Sequence, residues 1–249
     1  MNLTGKVCLV TGGTHGIGAA AAVELAGRGA DVAIVARHRD SAAEAVLAQI
    51  EAAGRRGVAL AADVAKPEEA ARCVAQTAEQ LGRLDVLVHS AGGPAMGSML
   101  DVSPEVWYGA FDIHVHAIFH LCRAAVPLIR PHKEGAIVLI SSTAGKLGVM
   151  NAVAYATVKG ALIQLTRSLA RELANDNIRV NCVAPGVIRT RFQDYLTPEQ
   201  VRNNLENRIP LHREGTCEQV AQVIALLAEN DYMAGETVVI DGGLTSRIA

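Results

Sequence analysis

The sequence predicts an α/β protein, a doubly wound seven-stranded parallel sheet forming a single domain over residues 1–249. Three observations predict it. Short apolar runs rich in Val and Ile alternate with longer stretches in which Ala, Leu and Val recur at three- and four-residue steps, the pattern of strands joined by crossover helices. The short runs are apolar throughout rather than alternating, as strands covered on both faces must be. Glycine, serine and aspartate segments follow their carboxyl ends, the edge at which such sheets take ligands.

Residues 6–10 form the first expected strand. It runs into Thr11, Gly12, Gly13, Thr14, His15, Gly16, Ile17 and Gly18, and an alanine-rich helix follows to about residue 29. Strand, glycine loop and helix in that order let backbone N–H groups and a helix N-terminus cradle a pyrophosphate. Gly12, Thr14, His15, Gly16, Ile17 and Gly18 are therefore candidate cofactor contacts of a Rossmann-type fold. The spacing is G-x3-G-x-G rather than G-x-G-x-x-G, and an ordinary tight turn is the plainer alternative. The second strand, residues 31–36, ends in Ala36 and Arg37, with no carboxylate until Asp40. An acidic residue at this strand end binds ribose hydroxyls, whereas an arginine accommodates a 2′-phosphate, so NADP is favoured and NAD is the alternative.

Helix and strand keep alternating: helix 41–53, strand 57–62, helix 67–81 and strand 84–89. Asp63 and Val64 close the third strand, and Ser90, Ala91 and Gly92 close the fourth. A long helix is expected over 104–128, with Ser103 as its N-cap and Pro104 at its first turn. Residues 136–140 give a fifth strand, 152–173 a helix, 179–184 a sixth strand ending at Pro185 and Gly186, and 236–240 a seventh. Residues 187–215 break the rhythm with polar and short helical pieces. A connection of that length reads as a lid or substrate loop.

Chemistry centres on residues 141–160. Ser142 sits where the fifth strand ends, and Tyr155 and Lys159 lie one helical turn apart on a shared face. A tyrosine hydroxyl ordinarily titrates at about pH 10, too high for a proton carrier at neutral pH. A neighbouring ammonium favours the phenolate; a shift of two or three units corresponds to roughly 3–4 kcal/mol. The phenol can then exchange a proton with an alcohol or carbonyl oxygen that Ser142 holds by a hydrogen bond. Ser142, Tyr155 and Lys159 are the candidate catalytic residues. A Tyr-x3-Lys pair alone also arises by chance on helices; its place at the ligand edge distinguishes this one.

Composition excludes other classes. Half the residues are hydrophobic and only 3% aromatic, so small aliphatic side chains fill the core. A net charge of −2 offers no footprint for nucleic acid or an anionic membrane. No apolar run approaches the ~18–20 residues of a membrane span, and residues 1–6 lead directly into a strand without a signal peptide. Five scattered cysteines, odd in number and without CxxC, suit reduced thiols in a cytoplasmic protein, with Cys8 and Cys182 expected in the core. His116 and His120 have a spacing that suits metal ligation, but no third ligand accompanies them, and no metal is expected.

Assembled, these residues resemble the short-chain dehydrogenases/reductases of compact type. The matching pieces are Thr11-Gly12-x3-Gly16-x-Gly18, Asp63, Ala91-Gly92, Ser142, Tyr155-x3-Lys159, Pro185-Gly186 and Asp241-Gly242-Gly243, with Tyr155 thirteen positions after Ser142. The resemblance runs from Gly5 to Gly243. It implies that Tyr155 is the general acid/base, that Lys159 lowers its pKa and holds the nicotinamide ribose, and that Ser142 orients the substrate oxygen. It further implies that Asp63 and Val64 meet the adenine, that Ser90, Ala91, Gly92, Pro185 and Gly186 line the cofactor, and that Ile188 and Thr190 meet the carboxamide.

Two positions depart from the family pattern. An asparagine that braces the fourth strand is Ser90 here. His114, a further candidate catalytic residue, stands where the family has a catalytic asparagine carrying a water to the lysine; a histidine, which hydrogen-bonds water and ordinarily titrates near neutral pH, makes either a modified relay or an impaired one. The implied activity is hydride transfer between NADP(H) and a carbonyl or secondary alcohol, similar to the 3-oxoacyl carrier-protein reductases. Arginines 189, 191, 202 and 208 could meet an anionic substrate. An NAD-linked sugar, polyol or steroid-type dehydrogenase and a non-catalytic cofactor binder on the same fold are the alternatives. Members of this type assemble as homotetramers or dimers.

Overall fold

A computed structural model describes residues 1–190 and 196–246. Seven strands form one parallel sheet: β1 Val7–Thr11, β2 Asp31–Ala36, β3 Gly57–Ala61, β4 Val86–His89, β5 Gly135–Ile140, β6 Ile178–Pro185 and β7 Thr237–Ile240. Their order is β3-β2-β1-β4-β5-β6-β7, and every neighbouring pair is parallel. The chain leaves one edge and restarts beside β1, so β1 and β4 flank the switch point, with Thr11 opposite His89. That junction is where a doubly wound sheet opens a crevice.

Two helical layers cover the sheet. On one face α1 (Gly16–Gly27), α2 (Ser41–Ala52) and α8 (Cys217–Glu229) bury Ala21, Leu25, Val46, Ile50, Val220 and Ile224. On the other, α3 (Pro67–Leu81), α5 (Ala117–Ile129) and α6 (Val153–Leu173) bury Val74, Leu81, Leu121, Ile129, Leu162 and Leu173. Helices α1 and α8 pack along each other, and Arg28 at the end of α1 pairs with Glu229 at the end of α8, 2.6 Å apart. Cys8 and Cys182 are fully buried, as expected.

Three sequence expectations change. The run expected over 104–128 is helical throughout but not uniform: α4 (Pro104–Phe111) passes through a π-helical turn, Asp112–His116, into α5. The first strand ends one residue later than expected, at Thr11, which places that hydroxyl inside the sheet. Helix α8 is not in the sequence reading, although Thr216 and Gln219 form a complete capping box at its start. Among the described residues no helix is long and apolar enough to cross a membrane.

Candidate active site

A cleft of about 1210 Å³ opens over the carboxyl ends of the strands, bounded by the glycine loop, the ends of β2 to β6, the π-turn and the start of α6. Gly12 turns the chain with φ +67°, and a Cβ there would lie 2.9 Å from the backbone of Ala91. Thr14, His15, Gly16 and Ile17 line the cleft. Gly18 does not: a Cβ on it would fall 2.2 Å from the Gly12 carbonyl oxygen, so its bareness lets α1 seat under the loop. The N-cap residue His15 makes no side-chain cap, its ring meeting Thr14 Oγ1 at 3.0 Å instead. The first-turn N–H groups of α1 thus carry no side-chain cap at the cleft wall.

At the tip of β2, Arg37 and His38 line the cleft while Arg39 pairs with Glu44 at 2.6 Å. The carboxylate of Asp40 accepts the N–H groups of Ala42 and Ala43, so it caps α2. Asp63 and Val64 line the next wall, where Asp63 Oδ1 accepts the Ala65 N–H at 3.2 Å. Ser90, Ala91 and Gly92 follow after β4.

Ser142, Tyr155 and Lys159 come together on the far wall. Ser142 Oγ accepts the Ala144 N–H at 3.1 Å, which leaves its own proton to donate. Lys159 is buried and donates to the Ile140 carbonyl at 2.7 Å; Ser141 Oγ donates to the Lys159 carbonyl at 2.6 Å. These two bonds lock α6 onto the end of β5. Lys159 Nζ lies 5.5 Å from the centre of the Tyr155 ring. Burial pulls the lysine pKa down to about 8, so the amine is mostly charged at neutral pH yet close to releasing a proton. The turn after Ser142 approaches α6 closely, since a Cβ on Gly145 would stand 2.6 Å from the Lys159 backbone.

His114 is buried in the π-turn beside this group, its ring edge-on to Tyr155 with centroids 6.0 Å apart. Burial, then the Lys159 charge, pushes its pKa down to about 2, so the imidazole is neutral. Strand bracing comes from a residue the sequence reading did not single out. His89 is fully enclosed, with Nδ1 2.9 Å from Thr11 Oγ1 and Nε2 3.0 Å from the Ile113 carbonyl. Thr11 Oγ1 in turn accepts the Ala91 N–H at 3.2 Å. His116 meets Asp112 at 2.9 Å on the surface, and among the described residues no three His, Cys, Asp or Glu side chains are placed to hold a metal ion.

Past β6, Pro185, Gly186, Ile188 and Thr190 line the fourth wall. Gly186 lies against Asp241, and the Thr190 methyl faces Gly16 across the cleft, 3.5 Å from where a Cβ on it would be. The expected substrate loop holds α7 (Pro198–Asn203) and a second π-turn, Asn204–Arg208, and is pinned by the pairing of Ile188 with Gly215. Leu196, Asn204 and Arg208 reach the cleft; Arg208 donates to Asn204 Oδ1 at 2.7 Å, and Arg189 pairs with Glu214. Arg191 lies outside the described residues.

The family model described as Enoyl-(Acyl carrier protein) reductase matches residues 12–245. The chain belongs to the short-chain dehydrogenase/reductase family. This short-chain dehydrogenase/reductase is 37% identical to an L-rhamnose 1-dehydrogenase (NAD(P)(+)) of Sphingomonas sp., covering 97% of both chains. It is 36% identical to a 3-oxoacyl-[acyl-carrier-protein] reductase of Synechocystis sp., covering 97% of this chain and 98% of that one. A blue fluorescent protein from a metagenomic library, solved in complex with NADPH, is 35% identical with TM-score 0.90, covering 98% and 99%. The enzyme is a short-chain NAD(P)-dependent oxidoreductase with the doubly wound sheet of that family. The donor set of its cleft fits such a cofactor: uncapped N–H groups of α1 and a guanidinium suit phosphates, and an amine stands beside a phenol.

Proposed function

We propose that this enzyme is an NADP(H)-dependent reductase of a ketone in an acyl or similarly apolar substrate, run in reverse as an alcohol dehydrogenase. The observation that carries the reading is the convergence of Ser142, Tyr155 and Lys159 on one wall of a cleft whose opposite wall is the glycine loop. The α1 N-terminus and Gly12 to Ile17 would hold the pyrophosphate, Arg37 a 2′-phosphate, Asp63 and Val64 the adenine, and Ile188 and Thr190 the carboxamide. Ser90, Ala91, Gly92, Pro185 and Gly186 would border it. Preference for the phosphorylated cofactor is supported by Arg37 at the β2 tip and by Asp40 being committed to capping α2. The bound nicotinamide supplies or takes the hydride.

The protein moves the proton. Ser142 donates a hydrogen bond to the substrate oxygen and fixes it within reach of the Tyr155 hydroxyl. Tyr155 gives its proton to that oxygen as charge develops, and the ammonium of Lys159 stabilises the phenolate left behind. Met96, Leu147 and Val149 line the outer cleft with apolar surface, which supports a 3-oxoacyl-like substrate over a sugar. Exposed Val106, Tyr108 and Phe119 on α4 and α5 support burial in a homotetramer or dimer, and five unpaired cysteines support a cytoplasmic location.

Steady-state oxidation of NADPH with a panel of 3-oxoacyl thioesters and simple ketones tests this reading. Tyr155→Phe should lower kcat by about 10²–10⁴-fold while leaving the cofactor dissociation constant within about threefold. Arg37→Ala should weaken NADPH and spare NADH. Tighter binding of NADH than NADPH by the parent enzyme would sink the cofactor assignment, and turnover indifferent to Tyr155→Phe would sink the mechanism.

A further inference from the structure

His89 and His114 stand in a reciprocal arrangement. His89 belongs to β4 and reaches across to the carbonyl of Ile113 in the π-turn, 3.0 Å away. His114 belongs to the π-turn and reaches back to the carbonyl of Gly93 in the loop after β4, 3.1 Å away. A carbonyl can only accept, so each Nε2 must carry the proton. With both rings neutral, each Nδ1 is bare, and that of His89 accepts the Thr11 hydroxyl. One tautomer of each ring satisfies every contact.

The π-turn makes the need specific. In an α-helix the N–H of Ala117 would bond the Ile113 carbonyl; here it bonds Asp112 instead, and His89 provides a donor to the carbonyl so displaced. Gly92 provides the room. A Cβ there would fall 2.0 Å from His114 Cε1, so the ring can lie against the loop only because residue 92 has no side chain. The groups facing the pair are the Lys159 amine on α6, the edge-packed Tyr155 ring and the Thr11 hydroxyl on β1. The lysine charge and burial both oppose protonation of either ring.

We propose that His89 and His114 form a neutral two-histidine clasp that fastens the cofactor-side loop Ser90–Gly93 to the π-turn beside Tyr155, and that both are positioning residues of the reaction. The inference rests on the proposed roles of Tyr155 and Lys159 for its kinetic part alone. His114 in this arrangement carries no proton through the cycle. It replaces a transferable proton with a fixed contact, and His89 sets where that contact sits.

Two measurements on the full-length protein test the clasp. Ring ¹⁵N spectra of histidine-labelled enzyme, with the two signals assigned through His89→Gln and His114→Gln, should show both rings as neutral Nε2–H tautomers from pH 5 to 9. Either ring titrating within that range overturns the proposal. In kinetics, His89→Leu should lower kcat at least tenfold with a smaller change in the KM of the ketone, and His89→Gln, which keeps an N–H donor, should recover most of the loss. His89→Leu combined with His114→Leu should cost less than the sum of the separate losses in log kcat. A leucine variant within twofold of the parent, or a folded Gln variant as slow as the Leu variant, overturns it. If no ketone is turned over at all, the oxidoreductase reading has failed, and the spectra still decide the clasp.

Discussion

Lys159 brings an amine into the protein with 6% of its surface exposed and the Ile140 carbonyl as a hydrogen-bond acceptor. Burial lowers its pKa from 10.5 to about 8. Between those values the unfolded chain binds a proton that the folded one does not, so this residue adds stability as pH rises from about 8 to about 10.5. The full swing is about 3 kcal/mol at about 1.4 kcal/mol per unit. The slope of the denaturant midpoint from pH 7 to 9 should be more positive for the parent than for Lys159→Met; parallel curves would show that the amine is not desolvated. The Tyr155–Lys159 pair was legible in the sequence because one helical turn fixes the geometry of residues four apart. His89 was not legible. Its partners Thr11 and Ile113 are 78 and 24 positions away, and only the fold makes them neighbours.

At the scale of elements, the candidate catalytic residues depend on a docking contact between backbones. The 3-10 turn Thr143–Gly145 carries Ser142 at its head and rests on the start of α6, where Gly145 leaves no room for a Cβ against Lys159. Gly145→Ala should push the turn off the helix, lowering kcat at least tenfold while NADPH binding, assigned above mainly to the glycine-loop wall, changes less than threefold. Equal losses in both would place the contact in folding rather than positioning. Strands and most helices were readable because apolar runs and 3.6-residue periodicity report burial directly. The π-turn left no such trace: one extra residue in a helix is fixed by tertiary bonds such as that of His89, not by local propensity. Helix α8 did leave a trace, the capping box at Thr216 and Gln219, but it follows a polar loop whose irregularity obscured it.

For the whole molecule, four buried thiols set the alkaline limit. Burial raises the pKa of Cys73 to about 11 and of Cys122 to about 12, and raises Cys8 and Cys182 as well. Above the ordinary thiol value of 9.0 the unfolded chain loses protons that the folded one keeps, so stability falls with rising pH. At pH 10 a thiol held well above its ordinary value costs about 1.4 kcal/mol, and Cys8, Cys73 and Cys122 together outweigh the single gain from Lys159. Denaturant midpoints should therefore turn over between pH 8 and pH 9 and drop beyond it, and the drop should shrink when Cys73 and Cys122 are replaced by Ala. A flat profile from pH 9 to 10.5 would contradict the burial of these groups.

The pairing of α1 with α8 has a consequence for how the chain is made. The partner surface of α1 begins at Cys217, roughly 190 residues after α1 ends at Gly27. At synthesis rates of about 5–20 residues per second, that apolar stripe waits on the order of 10–40 s on the ribosome without its mate. Its small side chains, alanines at 19 to 22 and 26, offer little for other nascent chains to grip during the delay.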